Sequence, residues 1–424
     1  MGYVHDVTQS RRERLASLRE LGRPYLLLLL ASLLSDIGSY TTQTAVTLYV
    51  YRISGQSAAS LGLSTLAHLL PYGLASPLGG VCAERYSRKW VMILNDALRI
   101  PLVLLLGAAG SLPGVIGLQA CVSASTAVFA PSRQSIIPEL VPERHLNLAN
   151  SLSGGALSLV HVLGPVLGAA LYIAADGLRW AVLVDAASYA VSALLLLAIP
   201  YRRRAGAEAG GGFVADVLGG LRYARGAPDL LQLLLLTLAA GTAVGVMMPL
   251  LRPFVSEALG GGDATYARLI GAFGAGGLVG PFLAFLAGRR LGPGRVVLLG
   301  CLAEACLMFA WTRIGHAGLS SAVLFVWGVI IFAVLPNQST YLQAHVDREY
   351  LGRTFALLDQ CTMLPQVVGA GVVILLGGSL SSPLIITGAS LMYLLVAALS
   401  LSTRGGRLMR SRRPAPPAAR LAEL

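Results

Sequence analysis

The sequence predicts an all-α membrane protein, with twelve transmembrane helices in two pseudo-symmetric six-helix bundles. Composition is the first reason. Of 424 residues, 55% are hydrophobic and only 12% charged, with a mean hydropathy of +0.70, whereas a soluble domain carries about 25% charged residues. Spacing is the second: the chain divides into successive apolar runs near the roughly 20 residues that cross a bilayer. The third is an internal echo. The Arg-rich link Gly80 to Lys89 after the second run has a degenerate counterpart, Gly288-Arg289-Arg290-Leu291-Gly292-Pro293-Gly294-Arg295, after the eighth. A repeat at matching places implies two related six-span units.

The same composition excludes several classes. A net charge of +12 could suggest nucleic acid, but the arginines cluster in short links and Lys89 is the one lysine, so no nucleic-acid partner is expected. The five cysteines (Cys82, Cys121, Cys301, Cys306, Cys361) lie in or at the ends of apolar runs without metal-ligand spacing. They read as inert buried thiols, and neither a metal nor a cofactor is expected. No cleavable leader is visible, because the first 24 residues are polar and the first run is too long for a signal h-region. There is no Walker-type phosphate loop and no Ser/His/Asp spacing, so the chain does not read as an enzyme.

Residues 1–24 form an arginine-bearing N-terminal segment, and residues 25–200 the first bundle. Span 1, Tyr25–Val50, is unusually polar, with Ser35, Asp36, Ser39, Thr41, Thr42 and Gln43; such a helix faces protein or water, not lipid. Span 2, Ala58–Cys82, holds Pro71 and Pro77, tolerable where neighbours satisfy the freed carbonyls. Span 3, Trp90–Gly110, begins with Asn95, Asp96 and Arg99, the last two sharing one helix face. Span 4 is drawn over Pro113–Pro131 and so contains no arginine; a polar segment, Ser132 to Arg144, follows. Span 5 is Leu148–Ala174 and span 6 Leu178–Pro200, which includes Asp185.

Residues 201–228 read as a linker with a short amphipathic helix, Val214 to Ala224, lying on the membrane surface. The second bundle, residues 229–403, holds spans 7 to 12: Leu230–Leu251, Leu269–Gly288, Val296–Arg313, Leu319–Tyr341, Thr354–Gly377 and Pro383–Ser402. A basic, Pro-rich tail, 404–424, is expected to be disordered. Placing both termini inside leaves only Arg52, Arg179, Arg252, Arg268 and Arg313 near outer loops, so the positive-inside rule predicts cytoplasmic termini in a plasma (inner) membrane.

The link Gly80-Val81-Cys82-Ala83-Glu84-Arg85-Tyr86-Ser87-Arg88-Lys89 resembles the signature loop of the major facilitator superfamily, with Glu84 in place of the usual aspartate and Ser87 in place of the second glycine. The run Ser132 to Arg144 with Leu146 to Asn150 resembles the drug:proton antiporter branch that includes macrolide, siderophore and metal-resistance exporters. Gly164-Pro165-Val166-Leu167-Gly168, with Gly155 nine residues upstream, is similar to an antiporter-associated helix element.

What the resemblance implies is a secondary transporter, with proton-coupled efflux of small amphipathic organic compounds by alternating access. Its partners are a small-molecule substrate, protons and the bilayer, and family analogy gives a monomer. Lipid or lysolipid translocation, or uptake by a symporter of the same fold, stays open, as does a non-transporting receptor.

Ionisable residues within spans are functional candidates. Asp36 lies about 16 Å into span 1 at 1.5 Å per residue, and the resemblance places that span along the central cavity. It is the first candidate for proton coupling and Asp359 the second. Gln43, Gln119, Asn337 and Gln338 read as polar cavity lining. Gly80, Glu84, Arg85, Arg88, Lys89, Asp96 and Arg99 read as one cytoplasmic ion-pair latch. Glu304 and Asp185 read first as structural pairs, and His68 and His161 first as ordinary hydrogen-bonded histidines.

Overall fold

A computed structural model describes residues 21–142, 145–201 and 213–411. Among these the chain forms fourteen helices and no strand. In the first half they are α1 (Gly22–Ile53), α2 (Ala58–Arg85), α3 (Arg88–Ala108), α4 (Leu112–Leu140), α5 (Leu146–Ala175) and α6 (Arg179–Leu197). A linker helix α7 (Phe213–Arg225) leads to α8 (Pro228–Leu259), α9 (Asp263–Leu291), α10 (Pro293–Trp311), α11 (Ala317–His345), α12 (Arg348–Leu376), α13 (Ser382–Ser400) and the short α14 (Arg404–Arg410). Eleven of them are long and apolar enough to cross a membrane. The 28-residue α2 occupies the place of the remaining span.

Local chemistry fixes many of the ends. Ser57, Ser111 and Thr403 accept hydrogen bonds from Ser60, Gly114 and Gly406 backbone N–H groups, which caps α2, α4 and α14. Pro228, Pro293 and Pro383 stand in the first turns of α8, α10 and α13, where a missing N–H costs nothing. Gly260 ends α8 with φ +59°, a left-handed position that glycine adopts without steric penalty.

The packing is a duplicated pattern. In the first bundle α1 lies on α5 and α6, α2 on α4, and α3 on α4 and α6. In the second, α8 lies on α12 and α13, α9 on α11, and α10 on α11 and α13. Each pairing recurs seven helices on, so the two bundles are related by a pseudo-symmetry. Between bundles, α2 packs on α12 and α5 on α9.

These inter-bundle contacts gather at the end remote from the termini, here the far end. Gly62 lies against Ala370 and Ile374, Gly377 against Ala58 and Ala59, and Gly274 against Val162. The Tyr51 and Ser256 hydroxyls are 2.7 Å apart across the seam. Arg252 sits over the Tyr51 ring at 4.6 Å and pairs with Asp263 at 2.7 Å.

Two sequence boundaries are corrected. Span 4 does not stop at Pro131: α4 runs through Pro131 and Pro138 to Leu140. A proline inside a membrane helix forfeits one backbone bond that neighbours can replace, so it need not end the span. The tail is not disordered from 404. Residues 404–410 form α14, packed on α8 and α10 and held by Thr403 Oγ1 donating to Gln232 Oε1 at 2.7 Å. Residues 1–20, most of the expected N-terminal segment, and 202–212 and 412–424, parts of the linker and tail, lie outside the described residues.

Candidate functional site

A cavity of about 450 Å³ lies within the first bundle, in the half nearer the termini, between α1, α4 and α5. Its walls are mainly apolar, from Leu28, Leu29 and Leu33 of α1, Ile137 of α4, and Leu157 and Val160 of α5. The polar exceptions are Asp36, Arg133, Gln134, Asn150 and Ser153, with Tyr25 and Ser32. Tyr25 ties α1 to α5 by donating to the Ala149 carbonyl at 2.6 Å, with Ser153 Oγ at 3.1 Å.

The focus of this wall is an ion pair. Arg133 Nη1 of α4 donates to Asp36 Oδ2 of α1 at 2.5 Å, each side chain about a quarter exposed. The sequence reading placed Arg133 beyond the span; the continuous α4 brings it into the wall. This is the chief site residue that sequence reasoning missed, because Pro131 was read as a terminus.

One turn beyond Asp36, the Tyr40 hydroxyl lies 3.0 Å from His161 Nε2. His161 Nδ1 lies 2.8 Å from the Leu157 carbonyl. A carbonyl only accepts, so Nδ1 carries the hydrogen, and a neutral ring then takes the Tyr40 proton at Nε2. His161 also meets Phe332 of α11 edge-on at 5.9 Å, which carries this chain of groups to the seam between bundles. Asp359 is exposed on α12.

The four residues expected to line a central cavity are not among those that border this one. Gln119 accepts from Ser64 Oγ at 2.8 Å between α4 and α2. Asn337 donates to the Ala284 and Ala333 carbonyls at 3.3 and 2.9 Å, between α11 and α9. Gln338 reaches Thr237 of α8 at 3.4 Å. Gln43 is half-buried on α1 and outside the cavity lining. The reason is common to Gln119, Asn337 and Gln338: polar side chains in apolar surroundings take the nearest partner, here on a neighbouring helix of the same bundle or in their own turn.

The single latch expected around the Gly80 link is also divided. Arg88 pairs with Glu139 of α4, while Lys89 Nζ caps the end of α6 by donating to the Leu197 and Ile199 carbonyls at 2.9 and 2.8 Å. Asp96 and Arg99 point instead into the bundle core. Arg99 lies 3.4 Å from Asp96 Oδ1, and its guanidinium stands over the Phe129 and Tyr189 rings at 4.9 and 5.3 Å. Asp96 Oδ2 accepts from Ser192 Oγ at 2.7 Å. All these partners belong to the first bundle. The side chains of Gly80's neighbours Glu84 and Arg85 lie outside the described set.

In the Gly-Pro element, Gly164 and Gly168 seat α5 directly on Tyr40, Thr41 and Thr44 of α1, where an added methyl would collide; Gly155 faces open space. Pro165 sits between the two contacts inside α5. Asp185 of α6 is buried against Gly38 of α1. Glu304 accepts from Trp327 Nε1 and the Tyr393 hydroxyl, both at 2.9 Å. It is therefore held by neutral donors and not by an ion pair.

Two pseudo-symmetric six-helix bundles closed on each other at one end, with a part-polar cavity toward the other, define a polytopic α-helical membrane protein. The chain belongs to the Major Facilitator Superfamily, whose family model matches residues 28–370.

It is similar to macrolide efflux protein A of Streptococcus pyogenes, 25% identical over 361 residues, covering 79% of this chain and 84% of that one. It is equally similar to an uncharacterized MFS-type transporter, YfiS, of Bacillus subtilis (strain 168), 25% identical over 368 residues and covering 81% and 84%. Among solved structures, a bacterial homolog of the human lysosomal transporter Spinster, inward-facing and unoccupied, superposes with a TM-score of 0.69 at 16% identity, covering 93% and 99%. A POT family transporter in complex with 5-aminolevulinic acid gives 0.74 at 11% identity, covering 90% and 96%. These two likenesses speak to the fold alone.

Proposed function

We propose that the protein is a proton-coupled exporter of small amphipathic organic compounds, working by alternating access as a monomer in the plasma membrane. The observation that carries this is the Asp36–Arg133 ion pair in the wall of an otherwise apolar cavity. A proton added to the Asp36 carboxylate removes its charge, and with it the attraction that holds Arg133. The two helices that the pair joins, α1 and α4, are then released to shift against each other, and the cavity wall passes from a neutral ion pair to a net positive charge.

In the cycle, Asp36 takes a proton from outside as substrate leaves and loses it inside as substrate reloads. Arginines crowd the end that bears the termini, which supports cytoplasmic termini; with that orientation, far-end closure corresponds to a cavity toward the cytoplasm. The similarity to macrolide efflux protein A and the apolar lining favour a bulky amphipathic substrate over a sugar or phosphate.

The test uses purified protein in proteoliposomes with a labelled macrolide. A proton gradient imposed across the membrane is expected to drive flux in the wild type. Asp36→Asn is expected to abolish the gradient-driven component, by about tenfold or more, since a fixed neutral side chain cannot cycle a proton. Gradient-driven flux unchanged in Asp36→Asn would remove Asp36 from the mechanism.

A further inference from the structure

The second bundle carries an outer feature with no part in the transport site. An open groove of about 250 Å³ runs between α9, α10 and α11, with walls that include Leu283, Leu291, Val296, Leu299, Ile330 and Val334 and no polar side chain at all. Its upper end is the tight link between α9 and α10, where Gly292 turns the chain with φ +87°. At this link the apolar surface gives way abruptly to arginine.

Arg289 is exposed in the last turn of α9 and lies over the Phe285 ring at 5.5 Å. Arg295, in the first turn of α10, donates from Nε to the Arg410 carbonyl of α14 at 2.7 Å. Gly294 rests on the Met409 backbone, so α14 is fixed directly under the link. Arg407 and Arg410 of α14 donate to the Ser402 and Leu401 carbonyls, contacts that use only part of each guanidinium.

Charge on the exposed face of this corner is mainly positive; the acid nearest it, Asp229 of α8, is buried and accepts from the Tyr341 hydroxyl at 2.7 Å. Between Asp263 and Glu304 the sequence holds no acid, and three arginines, Arg289, Arg290 and Arg295, lie at this link; between Asp359 and Ser411 it holds three arginines and no acid. The matching link of the first bundle is different: there Arg88 is taken up by Glu139 and Lys89 by two helix-end carbonyls.

We propose that this corner binds an anionic phospholipid, with one acyl chain in the α9–α10–α11 groove and the phosphate headgroup against Arg289, Arg295 and Arg407. Length and polarity agree: the groove begins at Leu291 and Val296 beside the arginines and continues inward along the same three helices. An apolar slot capped by guanidinium donors complements a lipid's chain and its phosphate together. The inference rests on the membrane-spanning fold and not on the coupling scheme above, so the two can fail separately.

The experiment is native mass spectrometry of the full chain in detergent. The titrants are phosphatidylglycerol, phosphatidylcholine with the same acyl chains, and glycerol phosphate. The wild type is expected to take up phosphatidylglycerol ahead of phosphatidylcholine. The double variant Arg289→Gln/Arg407→Gln is expected to lose about thirty-fold of that preference, two charges' worth at a membrane surface, with the melting temperature of lipid-free protein unchanged. Ala287→Phe, which fills the groove, is expected to weaken both lipids. Equal uptake of the two lipids, a preference surviving the double variant, or a groove-filled variant binding as before would overturn the proposal. Competition by glycerol phosphate as effective as by the intact lipid would also overturn it, by assigning the arginines to free phosphate.

Discussion

The two bundles pair their helices alike and fill their interiors differently. Between α3 and α6 the first bundle buries charges: Asp96, Arg99 and Asp185, with Tyr189, Phe129 and Ser192 around them. Between α10 and α13, the equivalent helices of the second, it buries one acid, Glu304, satisfied by two neutral donors. The charged interior is incompletely matched: Arg99 Nε and Nη2 and both Asp185 carboxylate oxygens have no hydrogen-bond partner. The second bundle's unpartnered buried atoms, Arg252 Nη1, Trp311 Nε1 and Ser320 Oγ, include no carboxylate oxygen. The cavity and its Asp36–Arg133 pair belong to the charged bundle as well.

One fold thus supports a half with an unmatched buried carboxylate and guanidinium between its helices, and a half whose matching acid, Glu304, is satisfied by neutral donors. A buried ion pair adds little stability over an apolar core, so its value lies in offering a second arrangement. Under the proposed function the first bundle is the working half, and the second the scaffold it meets at the Tyr51–Ser256 seam.

This contrast can be broken by mutation. Arg99→Gln is expected to have the largest effect, because it strands Asp96 and the carboxyl of Asp185 in a low-dielectric core and removes a cation stacked on two rings. Loss of one member of a buried charged set costs about 3–5 kcal/mol, visible as a large drop in unfolding midpoint in detergent. A loss under about 1 kcal/mol would mean that the charges do not depend on one another.

Glu304→Gln comes next. The amide nitrogen that replaces one carboxylate oxygen cannot accept from either Trp327 or Tyr393, so one buried donor is left without its acceptor, at about 1–3 kcal/mol. The same unfolding measurement reads it, and transport of a labelled macrolide should persist. Transport lost along with only mild destabilisation would end the view of this bundle as scaffold.

Asp185→Asn is expected to be the mildest, within about 1 kcal/mol, because no donor is lost and the shape against Gly38 is kept. A destabilisation as large as that of Arg99→Gln would show the carboxylate to be a true partner of that arginine.

How much was legible in the sequence follows from where each constraint acts. A spanning helix must satisfy its own backbone hydrogen bonds and present apolar surface to lipid. That demand is local, so the runs, the links and the repeat could be read residue by residue. It is also why Asp36 could be picked out: a carboxylate in the middle of a span is conspicuous without knowing its neighbours.

The direction in which a side chain points is not local. Gln119, Asn337 and Gln338 look like cavity lining in a list of polar span residues, yet each finds a partner on an adjacent helix. Arg133 looks like a link residue, yet α4 carries it to a carboxylate 97 positions earlier in the chain. Arg99, read as part of a surface latch, is nearly sealed in the core.

The sequence by itself settled the membrane class, the helical content and the duplication, since lipid imposes the same rule on every span. Only the packing of helix on helix decided which polar groups meet, which bundle holds the cavity and where the arginines face, since those depend on the rotation and depth of each helix against its neighbours. No run of one chain segment records that.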